Sequence, residues 1–75
     1  MTINFSRHAK RRAKLYGIPE LKIEEILSDL DLQDGEHEVI EAVHGFEYPI
    51  KIVFSVKNDI ITVITNYPLK KGIKK

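Results

Sequence analysis

The sequence has no cysteine among its 75 residues, so the chain can form neither a disulfide bond nor a thiolate metal site. It also lacks any apolar run near the roughly 18 residues that a membrane-spanning helix needs. Its N-terminus lacks the apolar core of a secretory signal peptide. We therefore expect a cytoplasmic protein. A chain of this length is expected to fold as one domain, over residues 1–75, around a single apolar core.

Acidic residues are scarce at the two ends of the chain, and basic residues are scarce in its middle. Residues 1–16 contain five cations and no acid, 17–47 contain ten acids and one lysine, and 48–75 contain six lysines and one aspartate. If the two basic ends meet in the fold, they form one basic surface that attracts polyanions. The alternative is that the acidic middle neutralises them. Residues 70–75 are expected to form a flexible basic tail.

Two helices are predicted in the first half. Ser6 is a good N-cap, helix 1 is expected over Arg7–Tyr16, and Gly17 is expected to end it. Its apolar stripe is Ala9, Ala13 and Tyr16. Helix 2 is expected over about Pro19–Asp31, because proline suits a first helical position. Its buried face is Ile23, Ile26, Leu27 and Leu30.

The second half is predicted to form three strands, over Glu36–Val43, Tyr48–Val56 and Ile60–Tyr67. Asn58-Asp59 is expected to be a two-residue hairpin turn. A further short strand at Ile3–Phe5 stays open. The order of elements predicts an α+β fold, in which two N-terminal helices pack on a three-stranded antiparallel β-meander.

Pairing around the hairpin turn predicts which side chains share a face of the sheet, because they alternate along a strand. The face predicted to lie under the helices carries Ile50, Ile52, Phe54, Val56, Ile61, Val63, Thr65 and Tyr67. The other face carries Lys51, Val53, Ser55, Lys57, Ile60, Thr62, Ile64 and Asn66. Val53, Ile60 and Ile64 would stay partly exposed there. Either they bind a partner, such as a second copy of the chain, or the short chain leaves them uncovered.

Three stretches carry a resemblance to a known family. "FSRHAKRRAKLYGI", "PELKIEEIL" and "IKIVFSVKNDIITVITNYP" resemble a family of small bacterial and archaeal proteins of unknown function. That family is grouped with the RelE-like toxins, in the wider set that includes barnase, EndoU and the colicin ribonucleases. The resemblance implies a RelE-like domain that is either a metal-independent ribonuclease toxin, with an antitoxin protein as partner, or a degenerate relative that has lost the catalytic residues.

RNA cleavage without a metal needs an acid–base group and cations around the phosphate. Histidine suits the first role and arginine the second. By resemblance, the predicted catalytic residues are His8, Arg12, Thr65 and Tyr67. The predicted phosphate- or nucleic-acid-binding residues are Arg7, Arg11, Lys14, Lys70 and Lys71. No cofactor is expected, and no metal site, because the three histidines lack metal-ligand spacing.

Each predicted catalytic residue also has a structural explanation. His8 lies at the edge of the apolar stripe of helix 1 and would stabilise the fold there. Arg12 would pair with Glu24 or Glu25 of helix 2. Tyr67 and Thr65 would serve the core and the strand. The alternative function is therefore a non-catalytic nucleic-acid- or protein-binding module.

Overall fold

Two helices and four strands follow one another in the order β1 (Thr2–Phe5), α1 (Arg7–Tyr16), α2 (Glu20–Ser28), β2 (Gly35–Glu41), β3 (Ile50–Lys57) and β4 (Ile60–Pro68). The structure, a computed structural model, describes residues 2–69. The strands form one sheet in the order β1-β4-β3-β2, in which β1 is parallel to β4 and the other neighbours are antiparallel. The α+β class is confirmed. The three predicted antiparallel strands are found as the consecutive neighbours β2, β3 and β4, but the sheet has four strands, because the short N-terminal strand that sequence left open forms β1 and pairs parallel with β4.

Helix α1 has the predicted bounds and caps. The Ser6 hydroxyl accepts a hydrogen bond from the Ala9 N–H at 3.0 Å, as an N-cap should. Gly17 adopts a left-handed conformation with φ of 68°, which costs glycine nothing and ends the helix. Ala9 and Ala13 are buried, and α1 packs mainly on β4. Because both contact residues are alanines, the helix backbone lies close to the sheet.

Helix α2 is shorter than predicted and ends at Ser28. The Ser28 hydroxyl donates to the Glu24 carbonyl at 2.6 Å, which competes with the helical hydrogen-bond ladder. Asp29 and Asp31 follow, and acids are unfavourable at the negative end of a helix dipole. Ile23 and Leu27 are fully buried, as predicted, whereas Ile26 and Leu30 are half-buried.

Strands β2 and β3 end close to, but not at, the predicted residues. The Val43 carbonyl accepts from the Phe46 N–H at 3.0 Å, so the chain already turns after β2. Strand β3 begins after Pro49, because proline has no N–H to donate to a ladder. The Asn58-Asp59 hairpin turn is confirmed. Both residues have positive φ, 52° and 66°, which is the geometry of a type I′ turn.

A β-bulge in β4 changes the predicted register. Phe54 pairs with Val63 as predicted, but the next pair is Val53 with Thr65, so Ile64 is an extra residue. The Ser6 hydroxyl donates to the Ile64 carbonyl at 3.0 Å and thereby holds the bulged backbone. Beyond a bulge, side chains exchange faces relative to a regular strand. The predicted pairs of Ile52 with Thr65 and of Ile50 with Tyr67 are therefore wrong.

The apolar core lies between the helices and one face of the sheet. It consists of Ala9, Ala13, Ile18, Ile23, Leu27, Val43, Ile50, Ile52, Phe54, Val56, Ile61 and Val63. Because of the bulge, Asn66 enters this core and is fully buried. Thr65 and Tyr67 go to the opposite face, here called the open face, beside Val53 and Lys51. The sequence-based placement of these three side chains is corrected accordingly.

Candidate nucleic-acid interface

Helix α1 presents a row of cations away from the sheet. Arg7, Arg11 and Lys14 recur at i, i+4 and i+7, on the side opposite the buried alanines, and Lys10 lies beside them. We call these four exposed residues the basic stripe. At 1.5 Å of rise per residue, it extends over about 10 Å of helix. The close packing of Ala9 and Ala13 leaves these long side chains to project into solvent.

The cations of α1 have no acidic partner in the part of the chain that the structure describes. Within residues 2–69, ion pairs join Lys22 to Glu25 at 3.2 Å and Lys51 to Glu38 at 2.7 Å, both away from α1. The alternative pairing of Arg12 with an acid of α2 is not found. Instead, the Arg12 Nη1 atom donates to the Tyr16 hydroxyl at 3.4 Å. The positive charge of α1 is therefore not neutralised by neighbouring side chains.

This arrangement is unfavourable for α1 itself. Its first turn contains no acid, although acids there would gain about 0.3–1 kcal/mol from the helix dipole. Arg7 and Arg11 are one turn apart, as are Lys10 and Lys14, and each like-charge pair costs about 0.2–0.5 kcal/mol. Lys14 in the last turn is favourable, so the unfavourable cations are those at the start of the helix.

His8 and Arg12 are neighbours on the flank of α1, at i and i+4. His8 is exposed and Arg12 is half-buried. The other two predicted catalytic residues, Thr65 and Tyr67, lie on the open face, with the sheet between them and α1. The structure therefore unites His8 with Arg12 and separates this pair from Thr65 and Tyr67. Lys70 and Lys71 lie outside the described residues.

Sequence reasoning missed a polar cluster on the open face, made of Glu38, Lys51 and Tyr67. The hydrogen bond from Lys51 to Glu38 raises the pKa of the Lys51 ammonium, and the charge of Glu38 and the nearby Tyr67 add to this. Glu38 pairs with Val53, which makes it the diagonal neighbour of Lys51, and Lys51 lies directly opposite Tyr67, so the three side chains share one face across three strands. Only the correct register of β4 would have placed Tyr67 opposite Lys51 and so revealed this cluster from the sequence.

A cleft of about 300 Å³ lies between α2 and the segment that follows β2. We call it the acidic cleft, because Glu25, Asp29 and Glu41 line its edge. Over residues 2–69, no group of histidines and acids is arranged so that it could hold a metal ion. No helix in that range is long and apolar enough to cross a membrane.

No protein-family model, curated protein or solved structure gives a significant match to this chain. The relation to RelE-like toxins therefore stays a prediction from sequence.

Proposed function

We propose that the protein binds RNA through the phosphate backbone, with the basic stripe of α1 as its contact surface. The observation that carries this proposal is the exposure of Arg7, Lys10, Arg11 and Lys14 on one helix without an acidic partner in residues 2–69. RNA is favoured over DNA by the resemblance to ribonuclease toxins alone. The chemistry that the two nucleic acids share is an anionic phosphodiester backbone.

The side chains of the stripe suit this ligand. Arginine donates two parallel hydrogen bonds to one phosphate, and lysine adds a mobile point charge. Neutralising about four phosphates on a single strand releases counterions, so log Kobs should fall against log salt with a slope of about −3. The binding is expected to be insensitive to base sequence, because phosphate contacts carry no sequence information directly.

The test is fluorescence anisotropy of a labelled single-stranded RNA over a series of salt concentrations. Arg11→Gln should weaken binding and make the slope shallower by about 0.7. Lys57→Gln is the matched control, since it removes one exposed cation at the end of β3, outside α1. DNA of the same sequence distinguishes the two nucleic acids. Equal loss in both variants, or no binding at low salt, would refute the role of α1.

A metal-independent ribonuclease toxin is the second candidate. It is supported by the adjacency of the exposed His8 and the half-buried Arg12 on α1, where an acid–base group would lie beside a phosphate held by arginine. The measurement is bacterial growth after induction of wild type, His8→Ala and Arg12→Ala at matched expression. Growth arrest that His8→Ala relieves, while that variant still binds RNA, would establish cleavage and justify a search for an antitoxin. Normal growth with folded wild type leaves RNA binding alone.

A homodimer through Val53, Ile60 and Ile64 is a further proposal. Ile60 and Ile64 on the open face are 44% and 37% exposed, and burial of such side chains favours association. Sedimentation equilibrium of wild type and Ile64→Lys tests it. A dimer that persists in Ile64→Lys, or a wild-type monomer, would exclude this interface.

A further inference from the structure

The acidic cleft combines an apolar floor with a charged edge. Ile26, Leu30 and Val43 form the floor, and Ile26 and Leu30 are only half-buried. The acids at the edge are Glu25, Asp29 and Glu41, while Lys22 and His44 complete the lining. Lys22 is paired with Glu25 at 3.2 Å. This surface fits a segment with one aliphatic side chain flanked by cations.

Such a segment follows the last described residue of the same chain. Residues 70–75 read Lys-Lys-Gly-Ile-Lys-Lys, so a single isoleucine has lysines before and after it. Its charge is opposite to that of the cleft edge. Its one aliphatic side chain matches the apolar floor, which needs an apolar group to cover it.

Leu69, the last described residue, lies close to the cleft. The Leu69 N–H donates to the Pro49 carbonyl at 2.9 Å. Ile50 pairs with Glu41 on one side and with Pro68 on the other, so Glu41 and Pro68 are two strand spacings apart, about 10 Å. Six extended residues span up to about 20 Å. Residues 70–75 are therefore long enough to reach the floor of the cleft.

We propose that residues 70–75 bind in the acidic cleft of their own chain, with Ile73 against the apolar floor and the lysines at the acidic edge. This inference does not depend on the proposed RNA binding. If the proposal is right, the lysines of residues 70–75, and not the cations of α1, neutralise the acidic middle of the chain. The basic stripe stays available to an external polyanion.

The absence of cysteine allows a single nitroxide label at Lys75→Cys in the full chain. Paramagnetic relaxation in the ¹⁵N spectrum should then remove the amide signals of Leu30, Val43 and His44 at low salt. At about 1 M salt, where screening acts within about 3 Å, these signals should return. Asp29→Lys in the labelled chain should restore them too. The matched control, Asp31→Lys, makes the same charge change on an exposed residue outside the cleft and should leave them broadened.

Three results would overturn the proposal. The first is intact cleft signals at low salt. The second is broadening that is insensitive to both Asp29→Lys and Ile73→Ser. The third is broadening of ¹⁵N-labelled chain by added unlabelled chain that carries the nitroxide, which would assign the segment to a second copy. The dispersion of each spectrum shows directly that the variant is folded. The outcome is independent of RNA, which is absent from the sample.

Discussion

The side-chain amide of Asn66 in β4 donates from Nδ2 to the carbonyl oxygen of Ala9 in α1 at 3.2 Å. Asn66 is fully buried, and its Oδ1 atom has no hydrogen-bond partner among residues 2–69. An unsatisfied buried acceptor costs about 1–3 kcal/mol. The bulge at Ile64 is what turns this amide into the core, since a regular strand would place it on the open face. The contact thus fixes the basic helix on the last strand, at a cost in stability.

Replacing Asn66 by an apolar residue of similar size tests this cost. We expect Asn66→Leu to leave the free energy of unfolding unchanged or to raise it by about 1–2 kcal/mol, because the unpartnered oxygen is removed. The Ala9 carbonyl keeps its place in the helical ladder. Urea denaturation provides the measurement. A loss of stability in Asn66→Leu would show that the amide is worth more than its unsatisfied oxygen costs.

The matched variant Asn66→Asp keeps the size and adds a charge. It should destabilise the fold by about 3 kcal/mol or more near neutral pH, because a buried carboxylate is poorly compensated. Unchanged stability in this variant would mean that water reaches the site.

Arg7→Glu separates stability from binding. The change places an acid in the first turn of α1 and removes the repulsion between Arg7 and Arg11, so thermal unfolding should show a gain of about 0.5–1.5 kcal/mol. In the same protein, RNA affinity should fall. The control is Lys57→Glu, which reverses a charge outside α1. A variant that is less stable than wild type would contradict the account of unfavourable electrostatics in α1.

The hairpin turn offers a stabilising substitution. Asp59 has φ of 66°, a left-handed conformation that strains residues with a Cβ atom, aspartate less than most, and does not strain glycine. Asp59→Gly should raise the melting temperature, although the greater freedom of glycine in the unfolded chain offsets part of the gain. Asp59→Val is the opposing control and should lower it, because a β-branched side chain tolerates this conformation poorly. If both changes lower stability equally, the Asp59 side chain itself supports the turn.

Local signals predicted the local structure well. The cap at Ser6 and the turn at Asn58-Asp59 each depend on the side chains of a few adjacent residues, and both were confirmed. The register of the hairpin was correct as far as the pair of Phe54 with Val63. There the prediction failed, because it assumed strict alternation through Ile64.

The bulge and the parallel pairing of β1 depend on contacts distant in sequence. The Ser6 hydroxyl donates to the backbone carbonyl of Ile64, 58 residues away. No local pattern around Ile64 indicates this contact or the bulge that it holds. Because the prediction did not include the extra residue Ile64, it assigned Thr65, Asn66 and Tyr67 to the wrong faces of the sheet. The same error placed Thr65 and Tyr67 in the predicted catalytic site. His8 and Arg12 lie within one helix turn, so helical spacing was sufficient to predict their adjacency. Their separation from Tyr67 depends on the sheet register, which the alternation pattern of β4 did not predict.

The ion pair on the open face predicts a pH dependence of stability. The pKa of Lys51 is raised in the folded protein, chiefly by its hydrogen bond to Glu38. A raised pKa contributes stability that is fully present below the unfolded value, about 10.4 for lysine, and is lost as the pH rises through the folded value. Urea midpoints should therefore fall more steeply above about pH 10 in wild type than in Lys51→Met. Measuring both in a Tyr67→Phe background removes the titration of the tyrosine. Glu38→Gln in that background should flatten the difference, since it removes the main cause. If the pH dependence still differs between the proteins with and without Lys51→Met after Glu38→Gln, another group on the open face raises the pKa of Lys51.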